Sequence, residues 1–172
     1  MESRNIYLVG PMGVGKSAIG KALAERLSRQ FIDTDQTIEL NTGVSIDWIC
    51  EKEQEAGLLA REATLITSLS QQSGLLVSTG GGTILSEAVR GVLRETGLVI
   101  YLSATIETQK KRIQMRPQKR PALIDKELDT YLADINALRE PLYASVSDYE
   151  FPTDNGGPKK IAEEIIAQLF FL

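Results

Sequence analysis

The chain has 172 residues, 42% apolar and 24% charged, with a net charge of −4. One domain accommodates that length and buries a core without disulfides or structural metal. The acidic balance argues against a sequence-independent nucleic-acid partner, and no run approaches the ~20 apolar residues of a membrane span. The single cysteine, Cys50, excludes an internal disulfide and suits a reducing cytoplasm. There is no histidine, so acid–base and metal chemistry fall to Asp, Glu, Lys and hydroxyls.

In chain order, the polar Met1–Asn5 is no signal peptide, and Ile6–Val9 reads as a buried strand. Lys16–Leu27 is expected to be a helix, with Ile19, Leu23 and Leu27 at helical spacing. Phe31-Ile32 makes a short strand ending in Asp33, and Gln36–Leu40 a helix stopping near Gly43. Ser45 caps a helix over Ile46–Glu53, followed by another from Glu55 to Gln71. Leu75–Ser78 is a strand that runs into three glycines. Helices begin at Ser86 and at Thr105, with a clear strand, Leu98–Leu102, between them. Arg116–Asp125, basic and proline-containing, reads as a mobile loop. Glu127–Leu138 and a shorter stretch around Tyr143 are helical, Tyr149–Phe151 is a last strand, and Pro158 opens the terminal helix. Strands alternating with helices predict a parallel sheet covered on both faces.

Residues 10–17 read Gly-Pro-Met-Gly-Val-Gly-Lys-Ser, a complete G-x-x-x-x-G-K-[ST] match between a strand and a helix. Gly10, Gly13 and Gly15 let backbone N–H groups turn inward as an anion nest, and the helix that follows adds the positive end of its dipole. Lys16 reaches the β and γ phosphates of a nucleoside triphosphate, and the Ser17 hydroxyl suits Mg²⁺.

Ligands in open α/β sheets bind beyond the carboxyl ends of strands, where two further segments lie. Asp33-Thr34-Asp35 offers two acids, one for a metal-bound water and one for a substrate hydroxyl, although Asp35 also stands where a helix N-cap would. Thr79-Gly80-Gly81-Gly82-Thr83 allows close approach to bare N–H donors, or is only a sharp turn. Arg112, Arg116, Lys119 and Arg120 lie in a segment suited to closing over phosphates as a lid. Arg139 either pairs with a ligand carboxylate or makes a surface salt bridge.

Taken together, Gly-Pro-Met-Gly-Val-Gly-Lys-Ser, Asp-Thr-Asp, Thr-Gly-Gly-Gly, Lys-Arg-Pro-Ala-Leu and Leu-Arg-Glu-Pro-Leu-Tyr make the chain resemble the shikimate kinase family over nearly its full length. The resemblance implies an α/β P-loop three-layer sandwich with a five-stranded parallel sheet of order 2-3-1-4-5. It implies a single kinase domain over 1–172, with a substrate-binding helical region at about 34–62 and a mobile lid at about 112–125. The implied reaction is ATP-dependent, Mg²⁺-assisted phosphorylation of the 3-hydroxyl of shikimate by a cytoplasmic monomer that needs neither nucleic acid nor membrane. By position, Lys16, Asp33, Asp35 and Arg120 would be catalytic, with Ser17 and Asp33 at the metal. Gly13, Val14, Gly15, Lys16, Ser17, Ala18, Arg112, Arg120 and Asp154 would bind nucleotide, and Asp35, Gly80, Gly81, Gly82 and Arg139 the acceptor.

The chain departs from that family at Leu59, where the pattern Gly-Phe-Arg followed by Glu three residues later has its arginine. Arg61 lies about 200° further around a helix and should point elsewhere. Ala122 replaces the first member of a leucine pair. Two other readings therefore stay open: a related P-loop kinase with a different small hydroxylated acceptor, and a nucleotide-binding module with weakened transfer. No Asn-Lys-x-Asp guanine signature is present.

Overall fold

The computed structural model describes residues 4–116 and 127–169. Five strands form one parallel sheet: β1 (Asn5–Val9), β2 (Gln30–Asp33), β3 (Leu75–Ser78), β4 (Gly97–Ser103) and β5 (Tyr149–Pro152). Their order across the sheet is β2-β3-β1-β4-β5, as the resemblance implied.

Successive side chains of a strand point to opposite faces, and the two cores divide accordingly. Ile6 and Leu8 of β1, Leu76 of β3, and Ile100 and Leu102 of β4 face one way. They pack on α1 (Lys16–Arg26) and α7 (Pro158–Leu169) through Ile19, Leu23, Ile161 and Ile165. Tyr7, Val9, Val77, Val99 and Tyr101 face the other way. There they meet Ile66 and Leu69 of α3 (Ile46–Ser70), Leu93 of α4 (Glu87–Thr96) and Tyr143 of α6 (Leu128–Val146). Each fully buried aliphatic side chain contributes about 1.5–3 kcal/mol. A smaller cluster of Ile38, Ile46 and Ile49 joins α3 to α2 (Thr34–Thr42). Another joins Ile113 of α5 (Ile106–Gln114) to Leu128 and Leu132 of α6.

Helix starts follow the local side chains. Ser45, Ser86 and Thr105 each accept a hydrogen bond from the backbone three residues on, the usual N-cap bond. Two boundaries differ from the sequence expectation. The cap of α2 is Asp33, whose carboxylate accepts from Gln36 N, and not Asp35, which sits in the first helical turn. One helix, α6, also replaces the two expected around Pro141. A proline removes the bond to the carbonyl four residues back, here that of Ala137 on the exposed side, while Arg139 and Tyr143 stay buried on either side of it.

The two helices expected over 46–71 are present as α3, broken by a kink at Gln54 with φ 61° and ψ −177°. That region of backbone space is essentially reserved for glycine. Gln54 is exposed, so its side chain offers little in return. Gln54→Gly should therefore stabilise the protein by about 1 kcal/mol once the added chain entropy is deducted, raising Tm by ~2–4 °C. A calorimetric scan of both proteins checks this, and a lower Tm for the variant would refute it.

Candidate active site

The phosphate loop lies between β1 and α1. Gly10, Gly13 and Gly15 have φ of 144°, 80° and 94°. A Cβ on Gly10 would fall 2.2 Å from the Leu102 carbonyl oxygen, and one on Gly13 2.8 Å from that of Gln109. Both positions therefore exclude any side chain. Val14 is fully buried, and Ala18 is half-buried in the first turn of α1. Lys16 Nζ donates to the carbonyls of Gly10 at 2.6 Å and Pro11 at 2.9 Å, curling over its own loop.

Arg112 and Asp154 stand behind this loop. Arg112 Nη1 donates to Val14 O at 3.0 Å and Thr153 Oγ1 at 2.9 Å, and its Nη2 donates to Thr153 O at 2.5 Å. Thr153 Oγ1 in turn donates to Val14 O at 2.9 Å. Asp154 Oδ1 accepts from Thr105 N at 3.0 Å and from its hydroxyl at 2.8 Å. Arg112 thus braces the outer carbonyls of the loop, and Asp154 fixes the start of α5.

Asp33, at the end of β2, joins two tasks. Its Oδ1 caps α2, and its Oδ2 accepts the Ser17 hydroxyl. A hydroxyl and a carboxylate so placed are the hard oxygen donors that suit Mg²⁺ beside phosphates.

The residues expected to take an acceptor converge on the turn after β3. A Cβ on Gly80 would lie 2.9 Å from Asp35 Oδ1. A Cβ on Gly81 would lie 3.8 Å from Arg139 Nη1, 3.7 Å from Met12 N and 3.9 Å from Gly10 O. The triple glycine is therefore a shared wall of the phosphate loop and of a polar cleft around Asp35 and Arg139. Tyr143 OH donates to Gly81 O at 2.5 Å; burial holds that phenol well above its ordinary pKa, so it stays a donor. Arg139 is only 9% exposed, yet it makes an ion pair with an exposed carboxylate. Its Nη2 donates to Glu55 Oε1 at 2.5 Å.

Leu59 lines the same cleft: its Cδ2 lies 3.6 Å from where a Cβ on Gly82 would be. Arg61 turns away to the exposed carboxylate of Glu53, at 2.7 Å. Arg120, Ala122 and most of the expected lid lie outside the described residues.

Two carboxylates at the cleft went unassigned from sequence. Glu55 carries no local signal beyond following the kink. Glu62 is 1% exposed, and its Oε1 lies 1.8 Å from where a Cβ on Gly80 would be. Neither of its oxygens has a hydrogen-bond partner among the described residues, and Thr83 Oγ1 and Arg139 Nε are likewise buried and unpartnered. Burial pushes the Glu62 carboxyl up to about 7; Asp35 adds to the rise, while the nearby Thr83 hydroxyl, Lys16 and Arg139 oppose it. Its one sequence signal was its place in the Gly-Phe-Arg…Glu pattern of the resemblance.

Phosphate loop and polar cleft share the carboxyl edge of one sheet, the layout of P-loop phosphotransferases that act on small molecules. The chain belongs to the shikimate kinase family, whose model matches residues 12–170. It is 44% identical over 168 residues to shikimate kinase of Alteromonas mediterranea, covering 98% of each chain. It is 46% identical over 166 residues to that of Haemophilus influenzae, covering 96% of this chain and 92% of the other. Among solved structures, shikimate kinase from Acinetobacter baumannii in complex with shikimate superposes with a TM-score of 0.92 at 39% identity, covering 98% of this chain and 93% of that one.

The buried Glu62 has a consequence for stability. A carboxyl whose folded pKa is raised keeps its proton in the native state over a range where the unfolded chain has lost it. Stability then falls as pH rises from about 4.5 to about 7 and is level above. Glu62→Gln removes the term. Its advantage over the native chain should grow by about 2 kcal/mol between pH 5 and pH 8, read from urea unfolding at several pH values. An advantage independent of pH would show that Glu62 titrates as an ordinary carboxyl.

Proposed function

We propose that this chain transfers the γ-phosphoryl group of ATP to the 3-hydroxyl of shikimate, giving shikimate 3-phosphate. The observation that carries the reading is Gly81. It lies against the phosphate loop on one side and Arg139 on the other, so donor and acceptor meet across one turn. Family membership supplies the identity of the two substrates.

In this reading the loop amides of Gly13 to Ala18 cradle the phosphates, and Lys16 leaves its loop carbonyls to stabilise charge on the transferring group. Ser17 and Asp33 hold Mg²⁺, which when bound neutralises charge on the β and γ phosphate oxygens. Asp35 accepts the proton of the 3-hydroxyl, directing its lone pair at the phosphorus. Gly80, Gly81 and Gly82 leave space and backbone donors for the ring substituents, and Arg139 takes the carboxylate. The regions 34–62 and 112–125 act as acceptor-binding segment and lid, with Arg120 reaching the transferring group. Arg112 and Asp154 serve the nucleotide from behind the loop. The reading extends to a cytoplasmic monomer; no helix among the described residues is long and apolar enough to cross a membrane.

A second acceptor, small, hydroxylated and less acidic, is favoured by Leu59, which puts an apolar group where the family resemblance has a cation. ADP release, measured with ATP and Mg²⁺ against shikimate and a panel of other hydroxy acids and polyols, decides between them. Stimulation by shikimate alone supports the first reading, and stimulation by another compound in its place supports the second. No stimulation by any leaves a nucleotide-binding module.

Lys16→Ala should fold normally and lower turnover by ~10²–10³; near-native turnover would remove Lys16 from the mechanism. Leu59→Arg adds a second charge-assisted hydrogen bond for the carboxylate, of about 1.5–3 kcal/mol. The shikimate KM should fall about tenfold or more while the ATP KM holds, because the contact is similar in ground and transition states. Positions 59 and 62 also face one another at i, i+3, so the new guanidinium should pair with Glu62 and flatten the pH dependence described above. Saturation curves and pH-dependent melts on the two proteins test both halves.

A further inference from the structure

Arg139 presents an unusual balance of burial and pairing. The residue is 9% exposed, and its Nε has no partner among the described residues. Its Nη2 is taken by Glu55, a side chain from α3 that is itself 55% exposed. The carboxylate of Glu55 hangs over the triple glycine: its Oε1 lies 3.2 Å from where a Cβ on Gly82 would be, and Arg139 Nη2 lies 3.6 Å from the same point. The Leu59 side chain closes the third side, also at 3.6 Å. A carboxylate of this chain therefore sits on the guanidinium edge that an acceptor carboxylate needs.

We propose that Glu55 is the specificity gate of the acceptor site, holding Arg139 as a built-in carboxylate until the carboxylate of the acceptor displaces it. The inference rests on the acceptor reading above and deepens it. With no cation at position 59, Arg139 balances one carboxylate at a time, so entry of the acceptor is an exchange and not an addition. Charge is conserved in that exchange, and an uncharged polyol cannot drive it, because it would strand Glu55 or Arg139 unpaired in a half-dry cleft. Discrimination for acids thus comes from a residue that need not touch the acceptor. Two features make the exchange feasible. Glu55 already has a route to water, and it follows the kink at Gln54, whose backbone interrupts α3 at that point.

The expected size follows from population arithmetic. A site that is competent for only a fraction of the time binds more weakly by that fraction, and a half-exposed ion pair holds its closed state by a factor of several. Glu55→Gln should lower the shikimate KM about three- to tenfold and leave the ATP KM within about twofold. Glu55→Ala, which removes the hydrogen bond along with the charge, should lower it at least as far. Both variants should also gain relative activity towards uncharged polyols, a change that a merely structural role for Glu55 would not produce. The experiment is steady-state ADP release by the full chain and the two variants, with shikimate and with an uncharged cyclic triol as acceptors. If shikimate is turned over but both variants leave its KM unchanged or raise it, the gate is overturned and the acceptor reading stands. If no protein of the three turns over shikimate, the acceptor reading fails and the gate fails with it.

Discussion

The pairing of β1 with β3 sets the position of the phosphate loop and of the glycine turn that faces it. The carbonyl of Leu8 receives both the backbone N–H of Thr79, at 3.1 Å, and its hydroxyl, at 3.0 Å. Ser78 stands level with Leu8 on one side and with Asp33 on the other. The phosphate loop, the Asp33–Asp35 corner and the triple glycine consequently leave the sheet at one height. Gly80 N donates to Thr34 Oγ1 at 3.0 Å, tying the last two together. A slip of one residue would exchange the Ile6–Leu8 and Tyr7–Val9 faces, so the two cores lock the register that aligns the site.

Among the described residues, carboxylates crowd the cleft built on that edge. Asp35, Glu55 and Glu62 stand around it, while Arg139 is the guanidinium at its centre. Burial settles the roles. Glu62 is shut in and keeps its proton towards neutral pH; Glu55 reaches water and remains the partner of Arg139. Unpaired buried polar groups cost about 1–3 kcal/mol each. Arg139 Nε carries that cost beside the triple glycine. Local frustration of this kind is tolerated where a ligand relieves it.

Much of this was legible in the sequence, for physical reasons that differ by element. The strands were readable because a parallel sheet buried on both faces demands short apolar runs, and the serine and threonine caps mark helix starts. The phosphate loop was readable because its glycines are forced by backbone conformation at Gly10, Gly13 and Gly15. Pro141 misled, since the tertiary packing of Arg139 and Tyr143 carries α6 through it. Asp33 and Asp35 exchanged the capping role because β2 passes directly into α2 without a linker. Glu55 and Glu62 were beyond local reading: a glutamate in an acidic helix is usually solvated, and only the approach of the triple glycine and Arg139, far along the chain, gives these two a different environment.

The bracing of Val14 has a consequence for the order in which the molecule becomes complete. Its carbonyl takes bonds from Arg112 and Thr153, residues 98 and 139 positions further on. The loop is thus among the first segments to be synthesised and among the last to be finished, since contacts between distant parts of a chain form only after the intervening length has been organised. A nascent or prematurely ended chain that stops before β5 carries the glycine-rich sequence and Arg112, and lacks the Thr153 that braces both.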